Sequence, residues 1–266
     1  MSKTDHERHG RPRKQQDKKA RSARSLDEIS KELHDLMLGH RSDAIPIKLA
    51  RRALGPLLVQ QVQPAALRRG LIGERTFGRP LIDAKDWSIS KSLPNNQVHS
   101  LMEQLVQYGR AYREMPAYAM LLTRVLDGKP VVINEMALNS EAVIDAYFER
   151  YLKLIESIRR FGVLPHGAVG ASSDDPLVRL PQAERSERDI KVAIGPNGEV
   201  LRLGTGRHRT AIAQALGVEH MPVEIRLIHA EWLFKLVERS GKSPLDALLD
   251  WLNAAKHEGL QSQASD

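Results

Sequence analysis

The sequence predicts an α+β protein, in which a helical N-terminal region is followed by a small mixed sheet flanked by helices. Apolar residues recur at the helical period in four stretches between residues 25 and 161. They then fall into three short strand-like runs, Ile190/Val192/Ile194, Val200 to Leu203, and Val223/Ile225/Leu227, the first and third alternating. Between the last two runs lies a small, Ala-rich helical segment opened by glycines.

The chain has 266 residues, room for one sizeable domain or two small ones, and 41% hydrophobic with 27% charged residues is a balance that builds a core. It has no cysteine, which excludes disulfides, thiolate metal sites and thiol catalysis and fits a reducing, cytoplasmic setting. No apolar run approaches the ~18–20 residues that span a bilayer, and the charged N-terminus lacks the apolar stretch of a signal peptide. Of the net charge of +7, six units belong to residues 1–25, where nine Lys/Arg stand against three acids. The basicity is therefore local. Residues 1–24 read as a disordered basic tail, either a contact for nucleic acid or an acidic partner, or a solvated extension.

Ser25-Leu26-Asp27-Glu28 reads as a capping box opening an amphipathic helix that stops at Gly39. Residues 40–96 are broken by Pro46, Pro56, Pro64, Pro80 and Pro94 and read as short helices and extended connections, with no element given firm bounds. The helical period returns from Val98 to Tyr112, and Pro116 starts a further helix ending at Gly128. Asn139 or Ser140 caps the longest helix, Val143 to Phe161, with Gly162 as terminator. Residues 166–188 have the Gly/Ser/Asp/Arg texture of a loop or linker. Asp189–Ile194 and Val200–Leu203 read as strands joined by the turn Pro196-Asn197-Gly198. Arg209–Leu216 reads as a helix and Met221–Ile228 as a strand. Two helices follow, the second capped by Ser243 with Pro244 at its first position, and residues 259–266 read as a disordered tail.

The chemistry concentrates at Gly204-Thr205-Gly206-Arg207-His208-Arg209-Thr210. A strand enters, glycines permit close backbone approach, and a helix begins. The unpaired N–H groups and dipole of that helix favour an anion. Arg207 and Arg209 add donors for phosphate oxygens, and His208 offers a hydrogen bond or acid–base function. Alternatively, the glycines merely serve the turn and the arginines are solvated. The segment lacks the Gly-Lys-Ser/Thr ending of a P-loop and the glycine spacing of a dinucleotide fingerprint. Glu156 is a candidate general base or a solvated helix charge, and Asp174-Asp175 are candidate Mg²⁺ holders or plain loop acids. His166, His208, His220 and His229 match no zinc spacing.

The run Leu154-Ile155-Glu156-Ser157-Ile158-Arg159-Arg160-Phe161-Gly162-Val163 resembles the opening helix of the ParB/sulfiredoxin-like superfamily. Asp189–Ile194, Gly198–Leu203, Gly206–Gly217 and Met221-Pro222-Val223 are similar to its strand, turn and strand, Gly-x-His-Arg helix, and third strand. Ile228-His229-Ala230-Glu231-Trp232 is similar to the ending of bacterial members linked to surface-polysaccharide gene clusters. The resemblance implies a ParB/sulfiredoxin-like domain over residues 150–230, after a helical region at 25–149 and before closing helices at 231–258. It also implies a nucleotide, ATP or CTP with Mg²⁺, whose phosphates meet the turn. ParB proteins bind CTP, sulfiredoxin uses ATP, and a free-serine kinase transfers phosphate. Gly206, His208 and Arg209 match the pattern, whereas Arg207 stands where sulfiredoxin has its cysteine, which excludes that chemistry. ParB has Gly-Glu-Arg-Arg at this place, and no helix-turn-helix follows here. Two functions are expected: nucleotide binding, with phosphoryl transfer served by His208 and Glu156, or a non-catalytic adaptor that contacts nucleic acid through residues 1–24.

Overall fold

The structure, a computed structural model, describes residues 11–71, 79–87, 89, 97–133, 136–165 and 190–260, with the side chains of 11–23 excepted. It is an α+β fold built on one mixed sheet. Helix α1 (Arg11–Met37) leads through the short strand β1 (Asp43–Ala44) to α2 (Ile47–Leu58) and β2 (Val59–Val62). After a 3₁₀ turn at Pro64–Ala66 come β3 (Ile82–Asp83) and α3 (Gln97–Tyr108). A second 3₁₀ segment, Gly109–Glu114, leads to α4 (Pro116–Leu126), the ribbon β4 (Val131–Ile133) and β5 (Met136–Leu138), and α5 (Glu141–Phe161). The remainder is β6 (Ile190–Ile194), β7 (Val200–Arg202), α6 (Arg207–Ala215), β8 (Met221–His229), α7 (Ala230–Ser240) and α8 (Pro244–Glu258).

The pivot of the sheet is β8, all nine of whose residues are buried. It pairs in parallel with β6 along one edge. Its other edge takes β2, antiparallel at Met221 to Glu224, and β3, parallel at Ile228 and His229. A strand walled in on both sides needs apolar residues on both faces, and a register shift lets β8 supply them. Val192 pairs with Ile225 but Ala193 with Leu227, so Arg226 is the extra residue. Its buried guanidinium donates to the carbonyls of Arg79 (2.8 Å) and Pro80 (3.4 Å), holding the chain that enters β3. Pro222, which has no N–H, stands where β6 has not yet begun.

One sheet face, with Val192, Val200, Val223 and Ile225, joins the main core shared with the helices. The other carries a smaller cluster of Ala193, Leu201, Leu203 and Leu227, covered by Leu71, Trp87 and Ile89.

The helix predicted from Ser25 begins upstream, at Arg11, so residues 11–24 are helical where a disordered tail was expected. Ser25 is consequently inside a helix and caps nothing. Its hydroxyl accepts from Arg52 Nε (2.9 Å) and Glu28 from Arg52 Nη2 (3.3 Å), so the supposed capping box clamps α2. This makes α1, at 27 residues, longer than the 21-residue α5, which was expected to be the longest helix. Ser140 caps α5 by accepting from Val143 N, and Gly162 ends it at φ +70°. The proline-broken stretch where no element was given firm bounds supplies β1, α2, β2 and β3. Residue 150 lies within α5, and one core cluster draws on residues from Ile29 to Leu260. Gly259 and Leu260, read as part of a loose tail, are pinned to β2, with Leu260 N donating to Gln61 O at 2.7 Å. Among the described residues no helix is long and apolar enough to cross a membrane.

Candidate functional site: the turn into α6

Strand β7 ends at Arg202, and Leu203 N still donates to Lys191 O, which keeps the chain on the sheet for one more residue. Thr205 Oγ1 then accepts from Lys191 N at 3.3 Å, tying the turn to β6. Gly206 caps α6 in the left-handed conformation, φ +72° and ψ 21°. Two independent constraints require glycine here: the positive φ, and the absence of a Cβ that would lie 2.7 Å from Ile190 Cγ1. Thr210 N closes the first helical hydrogen bond on Gly206 O. The earlier N–H groups of a helix have no intrahelical acceptor, and Gly206 at the cap has no side chain to offer them one.

The side chains of the turn point in different directions. Arg207 is exposed, its Nε 3.5 Å from Gly204 O. Arg202, at the end of β7, is half-buried and donates to Leu203 O at 3.4 Å. Burial, and then the charge of Arg207, push Arg202 down to about 10. Among the described residues neither guanidinium meets a carboxylate.

His208 turns inward. It is 6% exposed, shares a 3.1 Å hydrogen bond through Nε2 with the Tyr147 hydroxyl, and stacks on Tyr151 with ring centroids 4.2 Å apart. Burial first, then the charges of Arg150 and Arg207, push it down to about 3, so the ring is neutral at physiological pH. Burial likewise drives the Tyr147 hydroxyl well above its usual range. Arg209 is buried as well, and Thr210 more so at 2% exposure. Of the predicted phosphate ligands, Gly204, Thr205 and Arg207 thus form the outer lip of the turn, while Gly206, His208, Arg209 and Thr210 are buried on its inner side.

Glu156 is not part of this assembly. It lies nine residues beyond Tyr147, about two and a half helical turns, which places it on the opposite side of α5 from His208. There it accepts from Arg110 Nη2 at 3.5 Å and borders a groove of about 400 Å³ with Tyr112, Glu149, Leu152 and Lys153. The structure therefore keeps the two predicted catalytic residues apart. Asp174, Asp175 and His166 lie outside the described residues. His229 is buried and caps α7, its Nδ1 accepting from Glu231 N at 3.2 Å. Among the described residues no three His, Asp or Glu side chains gather where a cation would be held.

Sequence reasoning missed Arg202 and His99, which share a crevice with Arg207 and Thr210. Arg202 had a usable signal. It occupies the inward phase of its strand, two residues after buried Val200 and in register with buried Val192. A charged residue in an apolar phase marks a position held for a reason other than packing. The tyrosines that hold His208 read as core residues, and that is what they are.

No protein-family model, curated protein or solved structure matches this chain.

Proposed function

We propose that the chain binds a phosphate-bearing ligand of the nucleotide class at the N-terminus of α6. One observation carries the reading: Arg202 and Arg207 stand together at an uncapped helix start, with no carboxylate partner among the described residues. Two neighbouring guanidiniums repel each other, and Arg202 is depressed by its burial first and by the charge of Arg207 second. An anion placed between them and the first-turn N–H groups relieves the repulsion, with the helix dipole adding about 0.3–1 kcal/mol or more. The nucleotide rests on the resemblance of Gly206, His208 and Arg209 to the ParB/sulfiredoxin-like turn, with ATP or CTP as first candidates. The lack of cysteine fits a reducing, cytoplasmic setting for it.

The reading is one of binding. His208, neutral and locked between Tyr147 and Tyr151, shapes the turn from within, and Glu156 lies too far round α5 to act as its base. A phosphoryl transfer would have to draw its base from elsewhere. Calorimetric titration with ATP, CTP and GTP, with and without Mg²⁺, tests the proposal beside Arg207→Ala, an exposed position whose loss leaves the core intact. Binding weakened about tenfold or more in the variant is the expected outcome. A protein that takes up no nucleotide ends this reading and leaves the basic N-terminal residues as the place to look for a partner.

A further inference from the structure

We infer that the recess between α7, the end of α8 and the β6–β7 turn is a binding site for a small alkylammonium ion, held by the indoles of Trp232 and Trp251 and by the Glu258 carboxylate. It lies at the far end of β7 from the turn into α6 and takes a ligand of the opposite charge, so it stands apart from the reading above.

The recess measures about 140 Å³. A cavity of about 150 Å³ holds a benzene molecule, so this one admits a group of roughly six or seven non-hydrogen atoms. Its apolar lining includes Ile194 and Val200, which face each other across the last pair of the β6–β7 ladder. Trp232, buried in α7, and Trp251, half-buried in α8, line it with ring centroids 4.6 Å apart at 66°. Leu260, whose N–H is pinned to Gln61 O, completes the lining where α8 ends.

The charged groups around the recess set the sign of its ligand. The described residues that line it include one carboxylate, Glu258, and no lysine, arginine or histidine. Glu258 has no ion-pair partner among the described residues. Lys235, three residues along α7 from Trp232, is already held by Glu231 Oε1 at 2.6 Å and by Pro196 O at 3.2 Å. In the last turn of α8 the Lys256 ammonium donates to Pro56 O, and neither it nor His257 lines the recess. Glu258 is also the last residue of α8, where the helix dipole is negative. A cation in the recess therefore meets an unpaired carboxylate and a helix C-terminus together.

The tryptophans decide which cation fits. Indole attracts a cation over its ring more strongly than the other aromatic side chains do. An inorganic ion would give up hydration to an apolar lining, whereas an alkylammonium brings apolar surface of its own to bury.

The test follows the indole N–H resonances of the isotope-labelled full chain during titration with choline chloride, against sodium chloride at equal ionic strength. The signals of Trp232 and Trp251 are expected to shift saturably, and that of Trp87, which covers the other face of the sheet, to stay. Dimethylbutanol, the uncharged carbon isostere of choline, is expected to bind about fivefold or more weakly. Glu258→Gln, at an exposed position, is expected to weaken choline about threefold. Ala254→Lys sets a competing ammonium at the exposed rim of the recess. It is expected to weaken choline about tenfold while the thermal midpoint holds, since a cation suits that helix end. Equal affinity for choline and its isostere, or shifts that spare Trp232 and Trp251, overturns the site. So does full affinity in both variants, or the absence of any saturable shift.

Discussion

Gly206 and His208 show how much of the turn depends on single residues. At Gly206 a methyl group must adopt φ +72° and meet Ile190 Cγ1 at 2.7 Å. Gly206→Ala is therefore expected to lose at least about 2 kcal/mol, read as a lower urea midpoint at unchanged slope. His208 makes the turn sensitive to acid. Its folded pKa of about 3 lies below the ~6.5 of an unfolded chain. Above pH 6.5 both states hold a neutral ring, and the packing against Tyr147 and Tyr151 is fully available. Below 6.5 the unfolded chain takes up a proton that the folded one refuses. Stability then declines as the pH falls toward 3, by about 1.4 kcal/mol per unit from this group alone. Denaturant midpoints measured between pH 7 and 4 are expected to fall less steeply in His208→Gln, and an equal slope in both proteins would contradict the assignment. The glycine was legible in the sequence because a strand, a glycine and a helix stand in immediate succession. The burial of His208 was not, because Tyr147 and Tyr151 arrive from about sixty residues upstream.

At the scale of elements, what could be read was whatever is decided within a few residues. Helix α5 announces itself through its apolar period and through Ser140, whose hydroxyl accepts from Val143 N at 3.3 Å. Ser140→Ala is expected to cost about 1 kcal/mol, seen as a lower thermal midpoint, while Ser140→Asp is expected to keep most of it. The starts of α4 and α8, at Pro116 and Pro244, were legible for the same local reason. The first half of α1 was not, because a polar and basic segment carries no apolar period. Nor were β2 and β3, four and two residues long, whose existence depends on an edge of β8 about 160 and 145 residues further on. Ser25 illustrates a local signal overruled by a distant one. The capping-box residues are present, but the helix runs through them, and their side chains serve Arg52 instead.

At the scale of the whole molecule, β8 ties together parts of the chain far apart in sequence, and a cut at residue 150 would separate them. The strand is buried along its length because β6 covers one edge and β2 and β3 the other. A fragment comprising residues 150–266 cuts α5 in the middle and removes Tyr147 from His208. It bares the β8 edge from Met221 to Glu224, an invitation to pair with another chain. It also strips buried Glu224 of Arg51, whose guanidinium reaches it through two hydrogen bonds of 2.9 and 3.2 Å. Removing one partner of a buried ion pair leaves a desolvated charge, a loss of about 3–5 kcal/mol in well-buried cases. Arg51 is itself half in water, so the lower end applies. A loss of that size is already a large part of a domain's whole stability, about 5–15 kcal/mol, before the severed helix and bared edge are considered. The fragment is accordingly expected to aggregate or to show no cooperative thermal transition by circular dichroism, whereas the full chain unfolds in one. A soluble 150–266 fragment with a sharp transition and dispersed amide resonances would mean that the sheet closes without β2 and β3. The turn into α6 would then be a self-sufficient module; as the structure stands, it is an outcome of the whole sheet.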